Sequence, residues 1–134
     1  MKIPKRDIQS KQDIIELVDV FYKGMIEDAK IGHFFKDHMS VALEKHLPVI
    51  YNFWESILLG QSSYRGNLML THIALNKKSP LTSQHFEHWI FLWESTIDER
   101  FHGEVSLKAK SKARIMKDLM LYKIDQSNNS NFIQ

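Results

Sequence analysis

The sequence predicts an all-α fold built as one domain. Three observations carry this. Apolar residues recur at helical spacing in four separate segments, no segment alternates apolar and polar residues as a half-buried strand would, and no repeat or linker divides the 134 residues. That length allows one core of useful size and leaves no room for a second. With 43% apolar and 25% charged residues the composition is that of an ordinary globular chain, so residues 1–134 read as a single domain. Within it, residues 1–9 read as an N-terminal extension and 125–134 as a polar tail, both expected to be flexible.

The first helix follows from SKQDIIELVDVFYKGMIEDA, which begins at Ser10. Ser-x-x-Asp resembles a capping box, and Ile14, Leu17, Val18, Phe21, Met25 and Ile26 follow at helical spacing. Tyr22 sits at the edge of that stripe, where the ring can bury while the hydroxyl still needs a partner. KIGHFFKDHMS then reads as a tight corner around Gly32. A second helix is expected over about 41–59, with Ile50, Phe53, Trp54, Ile57 and Leu58 inward and Gly60 closing it. Pro48 removes one helical hydrogen bond, so this helix is expected to start near His46 or to kink there. Residues 66–75 read as a short helix or loose loop ended by Ser79-Pro80. Thr82 or Ser83 can cap the next helix, whose wide apolar face is Phe86, Trp89, Ile90, Trp93, Ile97 and Phe101, with Gly103 as the break. The last helix is expected over about 105–123, with Ala109, Ala113, Met116, Leu119 and Met120 forming a thin stripe suited to close packing.

Composition excludes several functions. Lys plus Arg total 18 against 16 for Asp plus Glu, and a net charge of +2 gives no basic footprint for nucleic acid or an acidic membrane. There is no cysteine, which removes disulfides, thiolate metal sites and a cysteine nucleophile. No signal-peptide core and no run of about 18 apolar residues occurs, so a cytoplasmic protein without a membrane span is expected. The sequence lacks a phosphate-binding glycine loop, GxSxG, HExxH and an EF-hand loop. What remains is the stretch between His46 and His72, where two of the seven histidines bracket a long apolar run. A neutral imidazole binds iron through one ring nitrogen, so His72 beneath a flat metal cofactor and His46 above it is one reading of that placement. Taken singly, each histidine is more often solvated or satisfied within a core, the tryptophans are more often core than cofactor wall, and Lys108, Lys110 and Lys112 read as a solvated face.

The joint pattern goes further. FY at 21–22, IGHFF at 31–35, HLPVIYNFWESILLG at 46–60, YRG at 64–66, His72, HFEHWIFLWESTIDERFHG at 85–103 and the alanine-spaced last helix occur in an order that resembles the truncated haemoglobins of group III. The resemblance spans roughly residues 10–123. It implies a shortened globin, a 2-over-2 sandwich of helix pairs around haem b (iron protoporphyrin IX). It also implies roles: His72 as the proximal ligand to the iron, Phe35 packed on the porphyrin, and Tyr22 and Trp89 as distal hydrogen-bond donors. His46 takes the distal histidine position, where it can face solvent, contact the ligand or bind the iron. Ile50 and Trp54, one and two turns after His46, are expected to line the same pocket, with Phe53, Leu58, Leu68 and Met69 as further candidates for its wall. The expected ligand is dioxygen or another small diatomic. The alternative is a haem redox enzyme acting on nitric oxide or peroxide, and a third reading is a haem-free helical domain acting through partners. A reductase is a possible partner, and a monomer or weak homodimer is the expected state.

Overall fold

A computed structural model describes residues 5–34, 43–60, 76 and 81–128. They form helices α1 (Lys11–Glu27), α2 (Gly32–Phe34), α3 (Leu43–Leu59), α4 (Ser83–Arg100) and α5 (Glu104–Asn128), and no strand occurs among the described residues. No helix among them is long and apolar enough to cross a membrane.

At the start of α1, the Ser10 hydroxyl accepts from Asp13 N–H at 3.3 Å. The Asp13 carboxylate accepts in turn from Gln9 N–H at 2.9 Å and from Ser10 N–H, as in a capping box. The buried face of α1 is Ile14, Leu17, Val18, Phe21 and Met25, whereas Ile26 is only partly buried.

In α3 the expectation of a start near His46 is corrected, because the helix begins at Leu43 and carries Pro48 in its interior. Pro48 is the sixth helical residue and so removes one hydrogen bond, a loss offset by burial of Ile50, Trp54 and Leu58 on successive turns. Thr82 caps α4: its hydroxyl accepts from His85 N–H at 3.3 Å while His85 Nδ1 accepts from Thr82 N–H at 3.1 Å.

The last helix runs further than expected, to Asn128, and Ile124 is buried rather than part of a frayed tail. Its buried stripe is Ala109, Ala113, Met120 and Ile124 with Met116 at the edge. Leu119, expected in that stripe, is 48% exposed. At 3.6 residues per turn it lies roughly 80° from Ala109 around the helix, outside the face turned to the core.

Residues 5–9, expected to form an extension, contribute to the packing. Ile8 is 2% exposed, and Asp7 accepts hydrogen bonds from the backbone N–H groups of Val105 and Ser106 at the start of α5. Arg6 C=O also accepts from His102 N–H at 3.0 Å. Helix α1 packs on α3 and α4, α4 on α5, and α5 on α3, so two layers of two helices enclose one core.

Candidate functional site

The four long helices converge on an aromatic cluster. Trp54 of α3 and Trp93 of α4 stack with ring centroids 4.7 Å apart, and Phe21 of α1 meets Trp93 edge-on at 4.9 Å. Phe21 also meets Trp89 at 6.0 Å and Tyr22 at 5.7 Å. Trp93 is wholly buried and donates its indole N–H to the Ala109 carbonyl at 3.2 Å, which ties α4 to α5. Such offset and edge-on pairs hold rings in fixed orientations, so this wall resists rearrangement.

Beside the cluster lies a cavity of about 40 Å³. Val18, Phe21 and Tyr22 line it from α1, Ile50 and Trp54 from α3, Trp89 and Trp93 from α4, and Met116 and Met120 from α5. One water needs roughly 10–15 Å³, so the space suits a ligand of a few atoms. None of these side chains is charged at neutral pH, and four of them, Tyr22, Trp54, Trp89 and Trp93, carry a hydrogen-bond donor, of which that of Trp93 is given to the Ala109 carbonyl. Desolvation pushes the Tyr22 phenol well above its ordinary pKa, so it keeps its proton.

The cavity joins four residues singled out from the sequence: Tyr22, Ile50, Trp54 and Trp89. Their spacing explains the meeting. Ile50 and Trp54 are one turn apart on α3, and Trp89 stands one turn before Trp93 on α4. His46, one turn before Ile50, is partly buried and is not among the residues that line the cavity. Desolvation lowers its pKa, which favours the neutral imidazole. Phe53 and Leu58 also lie outside the lining, Phe53 against Trp54 and Leu58 in the core. Phe35, Leu68, Met69 and His72 lie outside the described residues. Sequence reasoning gave Val18, Phe21, Trp93, Met116 and Met120 only a packing role, although i, i+4 spacing already placed Met116 beneath Met120 and Trp89 beneath Trp93.

A neighbouring polar corner fixes α4 against the end of α1. The Asp28 carboxylate accepts from Lys30 and Ile31 N–H at 2.8 and 3.1 Å and pairs with His88 Nε2 at 2.7 Å. Desolvation works to raise the Asp28 pKa, but the bonds from His88 and the two backbone groups outweigh it and hold the carboxyl below its ordinary value.

Superposed on solved structures, the chain matches the crystal structure of group III truncated hemoglobin from Campylobacter jejuni with a TM-score of 0.79, over 90% of this chain and 95% of that one, at 22% identity. This chain has the truncated-globin fold. In sequence it is 27% identical over 120 residues to the protein described as Group 3 truncated hemoglobin ctb from Campylobacter jejuni, an alignment covering 85% of this chain and 92% of the relative. No family model matches the chain. The resemblance read from the sequence and the expected all-α, globin-like 2-over-2 architecture are both borne out. Tyr22 and Trp89, which the resemblance gives as distal donors, line one cavity with Ile50 and Trp54, whereas His46 does not line it.

Proposed function

We propose that this chain is a group III truncated haemoglobin that binds haem b, with His72 as the protein ligand to the iron and the cavity as the seat of a small diatomic ligand such as dioxygen. The observation that carries the reading is the cavity: Tyr22, Ile50, Trp54 and Trp89, chosen from sequence positions up to 67 residues apart, line one uncharged space. The donor set fits the group. Tyr22 and Trp89 each bring a hydrogen-bond donor to a largely apolar aromatic wall, as the distal side of a haem pocket requires. When bound, haem supplies an iron at which a diatomic ligand becomes polarised and able to accept hydrogen bonds. The protein's part is to exclude water, keep the Tyr22 phenol and the Trp89 indole aimed by packing, and keep His46 neutral. His72 and Phe35 complete the proposed haem site.

The same two donors favour a second reading, a redox enzyme acting on nitric oxide or peroxide at this site, because donors in a dry pocket polarise an O–O bond. A reductase would then be its partner. Slow dioxygen release with fast turnover of peroxide or nitric oxide selects the enzyme, and rapid reversible exchange selects the carrier.

Absorption spectra of the purified protein, taken oxidised, reduced and with carbon monoxide, test the proposal. A Soret band that shifts on reduction and again with carbon monoxide is expected. In His72→Ala the haem should be lost or held with an altered ferrous spectrum. Wild-type affinity and an unchanged ferrous spectrum in that variant would overturn the assignment of His72, and a haemin-saturated wild type without a Soret band would overturn haem binding.

A further inference from the structure

The α5 side of the cavity differs in kind from the other three. Ala109 and Ala113, both fully buried, let α5 press against its neighbours, and the Ala109 carbonyl takes the Trp93 indole N–H at 3.2 Å. About two turns on, at the cavity, the stripe changes from the smallest apolar side chain to the most pliable one: Met116 and Met120, one turn apart, form that wall. The other walls cannot yield in the same way. Trp54, Trp93 and Phe21 are locked by ring contacts at 4.7 and 4.9 Å, and the β-branched Val18 and Ile50 are stiff about χ1. An unbranched thioether with three rotatable bonds is the one apolar element there that can move aside without disturbing its neighbours.

We propose that Met116 and Met120 form a yielding wall that sets the size of ligand this cavity accepts. Diatomic ligands and monatomic gases fit the resting space, whereas a ligand carrying an alkyl group fits only after the methionines repack. The role in choosing haem ligands rests on the haem reading above, while the space itself rests on the side chains that enclose it.

The test uses the purified protein, with haem content read from the Soret band of the same sample. Xenon NMR reports occupancy of the cavity, and association rates of carbon monoxide and ethyl isocyanide report size selection. In Met116→Phe the xenon shift should fall away, and ethyl isocyanide should slow by roughly tenfold more than carbon monoxide, the scale of discrimination a filled apolar pocket achieves. Met116→Ile keeps the volume approximately and removes the flexibility, so it should slow ethyl isocyanide selectively while leaving xenon bound. It also keeps the test decisive where the larger phenylalanine prevents folding. A normal Soret band with an unchanged ratio of the two rates in Met116→Ile and Met120→Ile would overturn this inference alone. Absence of a Soret band would overturn the ligand-choosing role together with the haem reading.

Discussion

The start of α5 depends on one carboxylate that belongs to a different part of the chain, and removing it should cost well above an ordinary surface change. Asp7 accepts from Val105 N–H at 2.7 Å, from Ser106 N–H at 2.9 Å, from the Ser106 hydroxyl at 2.7 Å and from Ile8 N–H at 2.8 Å. Val105 and Ser106 N–H are among the groups that a helix start leaves without a partner, so Asp7 acts as a cap supplied from 98 residues away. Loss of a cap costs about 1 kcal/mol, and loss of a charged acceptor from a part-buried network roughly doubles that. Asp7→Ala should therefore destabilise the protein by about 2 kcal/mol, which corresponds to roughly 6–10 °C in melting midpoint for a chain of this size. Urea unfolding followed by helical circular dichroism at neutral pH measures it. Asp7→Asn, which keeps one acceptor oxygen and puts an amide NH2 in place of the other, should recover at most part of the loss seen in Asp7→Ala. Partial desolvation works to raise the Asp7 pKa, yet bonds from Ser106, Val105 and Ile8 hold it below its ordinary value. The contribution is then complete above the unfolded carboxylate pKa and lost as pH falls through the folded one. A loss under about 0.5 kcal/mol with an unchanged urea slope would refute the cap, since that is the range of an ordinary surface substitution.

Two further outcomes follow from the same corner. The Asp13 pKa is lowered to about 2, chiefly by the Arg6 guanidinium bonded at 2.7 Å and against desolvation, with Gln9 N–H assisting. Because Arg6 is 55% exposed, the pair is screened by solvent. The folded pKa is depressed, so Asp13→Asn should have the lower urea midpoint at pH 5 and be nearly level with the native protein by pH 2. At Gly103, φ is +146° and an added Cβ would stand 2.5 Å from Asp7 Cγ, so Gly103→Ala should cost roughly 2–3 kcal/mol. In an Asp7→Ala background the two contacts at 2.5 Å disappear while the 2.8 Å contact with Cβ of residue 7 remains, so the cost should fall in part and stay above that of the backbone strain alone. An equal cost in both backgrounds would count against the contact.

The helices were legible because their signal is periodic. Ile14, Leu17, Val18 and Phe21 on α1, and Phe86, Ile90, Trp93 and Ile97 on α4, repeat at three or four residues and are all buried. Thr82 was legible as a cap for a local reason, a hydroxyl three residues before the group it serves. Asp7 was not, because a lone acidic residue in a polar stretch carries no sign of a partner 98 positions on. The length of α5 was available in principle: Ile124 continues the register of Met116 and Met120, and a polar tail after it masked that signal. At the candidate site, Tyr22 and Trp89 were singled out by resemblance to a family, and Ile50 and Trp54 by their helical spacing from His46. The methionines were missed because a helix stripe reads alike whether it faces a packed core or a space.

That ambiguity has an energetic side. A space of about 40 Å³ beside Met116 and Met120 corresponds to on the order of 1 kcal/mol of packing at ~24 cal/mol per Å³ of cavity. A sequence shaped by stability alone would fill it, and one larger side chain on α5 would suffice. The fold can leave it open because the surrounding structure is secured elsewhere. The Trp54–Trp93 stack and the Trp93–Ala109 bond fix the aromatic wall, and Asp7 fastens the start of α5 with a contribution about twice the loss at the cavity. The pliable wall and the anchored helix start thus lie on the same helix, about three turns apart. Capping of Val105 and Ser106 N–H by Asp7 holds the first turn of α5 in place. Filling the cavity would then gain at most about 1 kcal/mol of stability and remove the space in which the proposed ligand sits.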